Sequence, residues 1–408
     1  MRSEWVEMKL SKIMDIVGGG TPKTDVPEYW GGDIPWIAVK DFNNDKRFIY
    51  ATERTITQLG LDNSSTKLLD KGDLVISARG TVGAIAQLSR TMAFNQTSYG
   101  LKAKSDIAIN DFLYYLLLNI TSKIKSNTHG TVFDTITRKT FDVLSANIPP
   151  IEVQNAIVKT LDCIDKKIEL NNKINENLEQ QAQAIFKSWF VDFEPFQDGK
   201  FVESELGMIP EGWEVRTIGD LGEVVGGSTP SKKKPEYYTN NGIPWLTPRD
   251  LSTNGNKFVS KGEIDITDLG FENSSVRKMP KGTVLFSSRA PIGYIAIVQN
   301  EITTNQGFKS VIPKINIGTE YVYFFLKNNV KTIEARASGS TFKEVSGRTM
   351  TQTPALIPNK QVLTDFSHLL RPHFKQQELL EAENEVLLNL RDTLLPKLMS
   401  GEIEVPVE

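Results

Sequence analysis

Apolar residues change their period three times along the chain. Over 1–148 and again over 213–357 they come in short runs, such as LVISA at 74–78 and TVLFSS at 283–288, each close behind a Lys-Gly pair that reads as a turn. Gly-rich loops interrupt the runs, and one helix is predicted near 111–120 and another near 320–327. This texture predicts an α+β domain with a strand-rich core, present in two copies.

After each copy the period becomes helical. From 149 to 192 the apolar positions step by four and three through Ile157, Leu161, Ile164, Ile168, Leu178, Ala182, Ile185 and Trp189, with Asn171 and Asn175 filling the gap. From 358 to 408 the same seam runs through Leu363, Phe366, Leu370, Leu380, Leu387, Leu394 and Leu398, broken by His373, Gln377, Asn384 and Arg391. Two surface helices packed on their own domains would also carry such stripes. A stripe of about 40 residues, however, makes a helix of roughly 60 Å, which outruns a domain of this size. The spacing therefore predicts two long helices pairing as a coiled coil, with polar seam residues fixing register. The Gly-, Pro- and acid-containing stretch at 193–212 reads as a linker.

The two copies are a repeat. ITQLGLDNSSTKLLDKGDLVISARGTVGAIA at 56–86 and ITDLGFENSSVRKMPKGTVLFSSRAPIGYIA at 266–296 are identical at 14 of 31 positions without a gap, where roughly two would arise by chance. VGGGTP at 17–22 matches VGGSTP at 225–230, and IPWIAVKD at 34–41 matches IPWLTPRD at 243–250. Asn95-Gln96 matches Asn305-Gln306, and GTVF at 130–133 matches GSTF at 339–342. A period near 208 residues means a duplicated domain, because solenoid repeats are far shorter.

Composition changes the picture little until it is divided. The net charge is −3 over 408 residues, but 1–148 carry +2 and 205–355 carry +3, while 149–204 and 356–408 carry −4 each. Mildly basic blocks could face phosphates, although two near-neutral globular domains would look the same. One cysteine, Cys163, excludes an internal disulfide and fits a reducing compartment. It lies one residue off the seam and reads as an ordinary helix residue. No apolar run is long enough to span a bilayer, and MRSEWVEMKL lacks a signal-peptide core, so a cytoplasmic protein is expected.

Catalytic constellations are missing from the sequence. His129, His368 and His373 have no cysteine or carboxylate beside them at metal-ligand spacing. GGGTPK lacks the spacing of a phosphate loop, there is no GxSxG elbow, and NIPP at 147–150 lacks the context of an amino-methyltransferase motif. A binding protein without metal or cofactor is the expectation. A duplicated ligand-binding or adaptor protein with a coiled-coil dimerisation arm, and a methyltransferase with diverged motifs, are the competing readings.

The combination of VGGGTP and VGGSTP, the two IPW segments, SARGTVG and SSRAPIG, the paired Asn-Gln, GMIPEGWEV opening the second copy, and the helix ends ENLEQQAQAIFKSWFVDFEPF and LRDTLLPKLMSGEI resembles the specificity subunits of type I restriction-modification systems, over the whole chain. The resemblance implies two target-recognition domains, 1–148 and 213–357, each followed by a long conserved helix. The helices would pair antiparallel with pseudo-two-fold symmetry and hold the domains apart. Each domain would read one half of a split, asymmetric site on double-stranded DNA. Modification subunits, usually two, would supply methyl transfer with S-adenosylmethionine, and a separate restriction and motor subunit would use ATP and Mg to cleave. None of that chemistry would reside in this chain.

The repeat then sorts candidate DNA contacts. Shared polar residues suit phosphates or scaffold, and residues that differ inside matched motifs suit base readout. Shared candidates are Arg79 with Arg289, Lys40 with Arg249, and Gln96 with Gln306. Structural hydrogen bonds or solvated charges would explain these as well. Differing candidates are Thr24-Asp25-Val26 against Lys232-Lys233-Lys234, Gly80-Thr81 against Ala290-Pro291, and Asp134 against Lys343, and Lys23 is a further candidate. The polar loops SNTHGTVFDT and ASGSTFKEVS add Ser126, Thr128, His129, Thr131, Ser338, Ser340 and Thr341.

Overall fold

In a computed structural model, which describes residues 4–44, 46–126, 135–339 and 343–406, the short apolar runs of the first copy become strands. These are β1 (Val6–Lys9), β2 (Met14–Gly18), β3 (Trp30–Ile37), β4 (Phe48–Ile49), β5 (Arg54–Ile56), β6 (Leu68–Leu69), β7 (Leu74–Ser77), β8 (Ile85–Leu88), β9 (Met92–Phe94), β10 (Ser98–Ala103) and β11 (Ser145–Ile148). They form a five-stranded sheet in the order β2-β10-β7-β8-β4, a four-stranded sheet in the order β5-β3-β9-β6, and the ladder β1-β11. Every residue of β7 is buried, which is why LVISA reads as a continuous apolar run and not as an alternation. The turn before it needs Gly72, whose φ of +89° is a left-handed conformation that suits glycine. The domain helix Asn110–Ser126 covers the larger sheet, burying Phe112, Leu113, Leu116 and Leu117 against Leu74, Ile76 and Leu101.

The second copy repeats this plan. The stretch read as a linker holds a hairpin, β12 (Phe201–Ser204) paired with β13 (Gly207–Pro210), and the strands of the copy itself are β14 (Glu214–Thr217), β15 (Gly222–Gly226), β16 (Tyr238–Thr239), β17 (Ile243–Leu246), β18 (Phe258–Val259), β19 (Ile264–Ile266), β20 (Val284–Ser288), β21 (Ile292–Val298), β22 (Thr303–Thr304), β23 (Lys309–Pro313) and β24 (Pro354–Ile357). The large sheet runs β15-β23-β20-β21-β18 and the smaller one β16-β19-β17-β22. The helix Thr319–Asn328 takes the place of the first domain helix.

Two helices of 40 residues follow the copies, Ile151–Phe190 and Lys360–Met399. The compact units of the chain cut across both: one holds Met1–Glu169 with Glu385–Glu408, the other Leu170–Asn384. In the first unit Val153, Ile157 and Leu161 pack with Leu395 and Leu398 under the domain helix, and Arg391 donates to Asp165 at 3.2 Å. In the second unit Ala182, Phe186 and Phe190 pack with Phe366, Leu370 and Phe374. There Asn171 donates to Asn384 at 2.9 Å, and Asn384 donates to Asn172 at 2.8 Å. In each unit rising numbers on one helix meet falling numbers on the other, so the paired segments are antiparallel.

The seam departs from its expected course at one end. Phe186, Phe190 and Phe374 are buried, where the heptad spacing points to Ile185, Trp189 and His373. From Ala182 the buried positions step by four and four. A heptad repeat holds only while a helix faces one partner helix, and here the central helix also faces the aromatic core of the second copy, Tyr321 and Phe324.

A buried cation joins each copy to its helices. The side chain of Arg47, only 7% exposed, donates to Asp162 on the central helix at 2.7 Å, to Tyr115 at 3.0 Å and to Gln87 at 3.0 Å, and pairs with Asp111. In the second copy the Lys257 ammonium donates to Glu179 and Gln377, both at 2.9 Å, and lies 3.4 Å from the centre of the Phe374 ring. Burial pushes the Lys257 ammonium down to about 8 against the pull of Glu179. Burial also acts to raise Glu179, but the ammonium groups of Lys257 and Lys327 prevail and hold it at about 2.

Candidate nucleic-acid interface

Strand direction gathers the repeated loops at one edge of each copy. β3 and β9 pair in parallel through Trp36↔Ala93 and Ile37↔Phe94, so both strands leave at the same edge, one toward Lys40 and one toward Asn95-Gln96. β10 runs antiparallel to β2 and β7, with Tyr99 opposite Gly18 and Ser98 opposite Ser77. The GGGTPK loop and the Arg79 loop therefore end at that edge too. The second copy does the same through Trp245↔Thr303, Leu246↔Thr304 and Gly226↔Lys309.

Backbone hydrogen bonds lock the loops together in matching fashion. Gly20 N–H donates to Phe94 O at 3.0 Å, and Ser228 N–H to Thr304 O at 2.9 Å. Ala78 N–H donates to Thr97 O at 2.9 Å, and Ser288 N–H to Gly307 O at 2.7 Å. Ile136 N–H donates to Ala78 O at 2.9 Å, and Val345 N–H to Ser288 O at 3.0 Å. The second glycine of each VGG motif is demanded by close approach: a Cβ on Gly19 or Gly227 would lie 2.0 Å from the carbonyl oxygen of Asn95 or Asn305. Such an edge is a rigid frame carrying exposed loops, and the frame is the same twice while its side chains differ.

The sequence candidates fall on this frame unevenly. Lys23, Arg79, Thr81, Lys232, Lys233 and Lys343 are exposed. Lys40 is exposed but paired with Glu53. Its counterpart Arg249 has no ion pair among the described residues, and its carbonyl accepts from Ser252 and Thr253. Lys234 is drawn into its own turn, donating to the Tyr237 hydroxyl at 2.9 Å, so the lysine triplet offers two free cations. Gln96 and Gln306 accept from Thr21 and Thr229 and so tie two loops together in each copy. Gly80 and Ala290 both have positive φ, +78° and +50°, so both copies place one left-handed residue in this turn. Thr128, His129, Thr131, Asp134, Ser340 and Thr341 lie outside the described residues, as does the side chain of Ser126.

Two residues at the edge escaped the sequence reading. Lys309 stands where Tyr99 stands in the first copy, opposite the matching glycine. Glu344 stands where Thr135 does, immediately before the residue that bonds Ser288 or Ala78. The Glu344 carboxylate lies 3.5 Å from Arg289 and 3.4 Å from Lys309. The rule of comparing matched motifs would have found both, since each differs beside a shared element.

Comparison with known proteins decides the family. The model of the type I restriction modification DNA specificity domain matches residues 2–180 and 210–389. The chain belongs to the type I restriction-modification specificity subunits. It is 29% identical to the MjaIX specificity subunit of Methanocaldococcus jannaschii, over 98% of this chain and 94% of that protein. It is 26% identical to the HindI specificity subunit of Haemophilus influenzae, over 98% of this chain and all of the other. The crystal structure of the specificity subunit from M. genitalium shares the fold, with a TM-score of 0.54 and 18% identity, over 97% of this chain and 96% of that one. A specificity subunit recognises DNA sequence, and the catalytic activities lie in other subunits. Nothing favours the adaptor reading. Among the described residues no helix is long and apolar enough to cross a membrane, and no group of three or more His, Cys, Asp or Glu side chains could hold a metal.

Proposed function

We propose that this subunit reads a split DNA target, with the loop edge of each copy reading one block, and presents it to two modification subunits and a restriction and motor subunit. S-adenosylmethionine would then serve the modification subunits, and ATP with Mg the motor, with no cofactor on this chain. The observation that carries the reading is the doubled edge: identical backbone hydrogen bonds support Arg79 and Arg289, while neighbouring side chains differ between copies. A common frame suits phosphate contacts that position the duplex, and different side chains on it suit different base sequences. Lys23, Lys40, Arg79, Thr81 and Gln96 would serve the first block, and Lys232, Lys233, Arg249, Arg289, Gln306 and Lys343 the second.

Exchanging residues 1–148 for the matching segment of another specificity subunit tests this, provided that the graft keeps a cation at position 47 to meet Asp162. Sequencing of methylated bases in cells carrying the complete system should show one block of the motif replaced and the other retained. Replacement of both blocks, or of neither, would overturn the assignment of one block to each copy.

A further inference from the structure

A carboxylate at an edge built to meet DNA needs a reason, because phosphate repels it. Glu344 is pinned there from both sides. Its N–H donates to Ser338 O at 2.9 Å, its carbonyl accepts from Ser338 N–H at 3.1 Å, and the next residue, Val345, bonds Ser288 O at 3.0 Å. The side chain is held between Arg289 at 3.5 Å and Lys309 at 3.4 Å and remains 38% exposed. Lys309 is itself tethered, donating to the carbonyl of Gln306 at 3.3 Å, and only 14% of its side chain is exposed. Two cations and one carboxylate leave the cluster with a net positive charge, so the edge can still approach a polyanion. In the first copy the same three positions hold Arg79, Tyr99 and Thr135, so the carboxylate belongs to the second copy alone.

An ionised carboxylate only accepts hydrogen bonds. In the major groove the donors are the N4 amino group of cytosine and the N6 amino group of adenine, while guanine and thymine present acceptors there. We infer that Glu344 is a specificity-determining residue that accepts a hydrogen bond from the exocyclic amino group of a cytosine or adenine in the block read by the second copy, with Arg289 and Lys309 orienting its carboxylate. This rests on the reading that each edge serves one block of the target.

The test uses the whole subunit with its modification subunits, wild type beside E344Q and E344A, and reads the methylated motif together with the affinity for duplexes varied one base pair at a time. Glutamine keeps the shape and adds a donor that can meet guanine or thymine. The preference at one base pair of the second block should fall by about tenfold or more, the size of one good base contact. The first block should be unchanged. If E344A does not accumulate, E344Q decides alone. An unchanged motif in E344Q would overturn the inference while leaving the two-block reading intact. A uniform gain in affinity for all duplexes, with a steeper salt dependence, would overturn it too, because Glu344 would then act only as a counter-charge. If the wild-type motif has no separable second block, the underlying reading fails instead.

Discussion

The carbonyl of Arg47 accepts from the Gln87 amide and that of Lys257 from the Ile297 amide, each at 2.7 Å, so the two residues occupy one position of the repeat. The partners of each reach onto a long helix: Asp162 for Arg47, Glu179 and Gln377 for Lys257. Tyr115 and Tyr323 repeat the arrangement, donating to Asp165 at 2.7 Å and to Glu179 at 3.1 Å. A strand-rich domain is thus joined to its helices by one desolvated charge and one buried phenol, twice, with different cations.

Removing either cation breaks a buried pair from one side, leaving Asp162 its surface partner Lys166 and Glu179 its second partner Lys327. Arg47→Met and Lys257→Met should each cost about 2–4 kcal/mol, somewhat less than the ~3–5 kcal/mol of a buried charge left without any partner. Arg47→Lys should recover little, because one ammonium cannot reach Asp111, Asp162 and Tyr115 together as the guanidinium does. Chemical denaturation of the variants checks both, and a loss under 1 kcal/mol for Arg47→Met would mean that the cluster is solvated.

The second seam is also a pH element. Glu381 accepts from the N–H groups of Lys257 and Phe258 at 3.0 and 2.9 Å, and burial raises it from 4.5 to about 7. Its folded value lies above its unfolded one, so the stability it contributes is complete below pH 4.5 and is lost as pH rises through 7. Lys257 is depressed to about 8 from 10.5, so its contribution is present above pH 10.5 and is lost as pH falls through 8. Glu381→Gln keeps an acceptor for the two amides and cannot ionise. Relative to wild type it should be more stable at pH 8 by about 1–3 kcal/mol, with the difference gone at pH 4.5. Melting curves at the two pH values decide, and an equal difference at both would exclude ionisation of Glu381 as the cause.

The slipped seam has its own test. Phe186→Ala should cost about 3–5 kcal/mol, while Ile185→Ala should cost clearly less, because Phe186 is 2% exposed and Ile185 only partly buried. Equal losses would restore the regular heptad course.

Arg79 and Arg289 match in the repeat but not in charge environment. Arg79 is exposed and has no ion pair among the described residues, whereas Arg289 faces Glu344. Arg79→Ala should weaken binding to all duplexes alike by about 1–3 kcal/mol and lower the salt slope by about one unit. Arg289→Ala should lower the slope by less, because Glu344 already offsets part of its charge. Titrations at several salt concentrations compare them, and equal slopes would show that Glu344 does not screen Arg289 on DNA.

The sequence by itself determined the duplication, the strand-rich α+β texture and the two long helices, because each is written in local periodicity or in direct self-similarity. The resemblance carried by VGG-TP, IPW and Asn-Gln pointed to the family on the same evidence. Tertiary structure alone decided how those motifs act. Thr21 and Gln96 lie 75 residues apart and meet only because β2, β9 and β10 end at one edge. Arg47 carries no motif, and its role depends on a helix more than 100 residues downstream. Phe186 replaces Ile185 in the seam because the helix faces a domain core as well as a helix, a choice made by packing in three dimensions that no one-dimensional period encodes. Glu344 reads in the sequence as one more surface acid beside a lysine; it gains a task only where the fold sets it between Arg289 and Lys309.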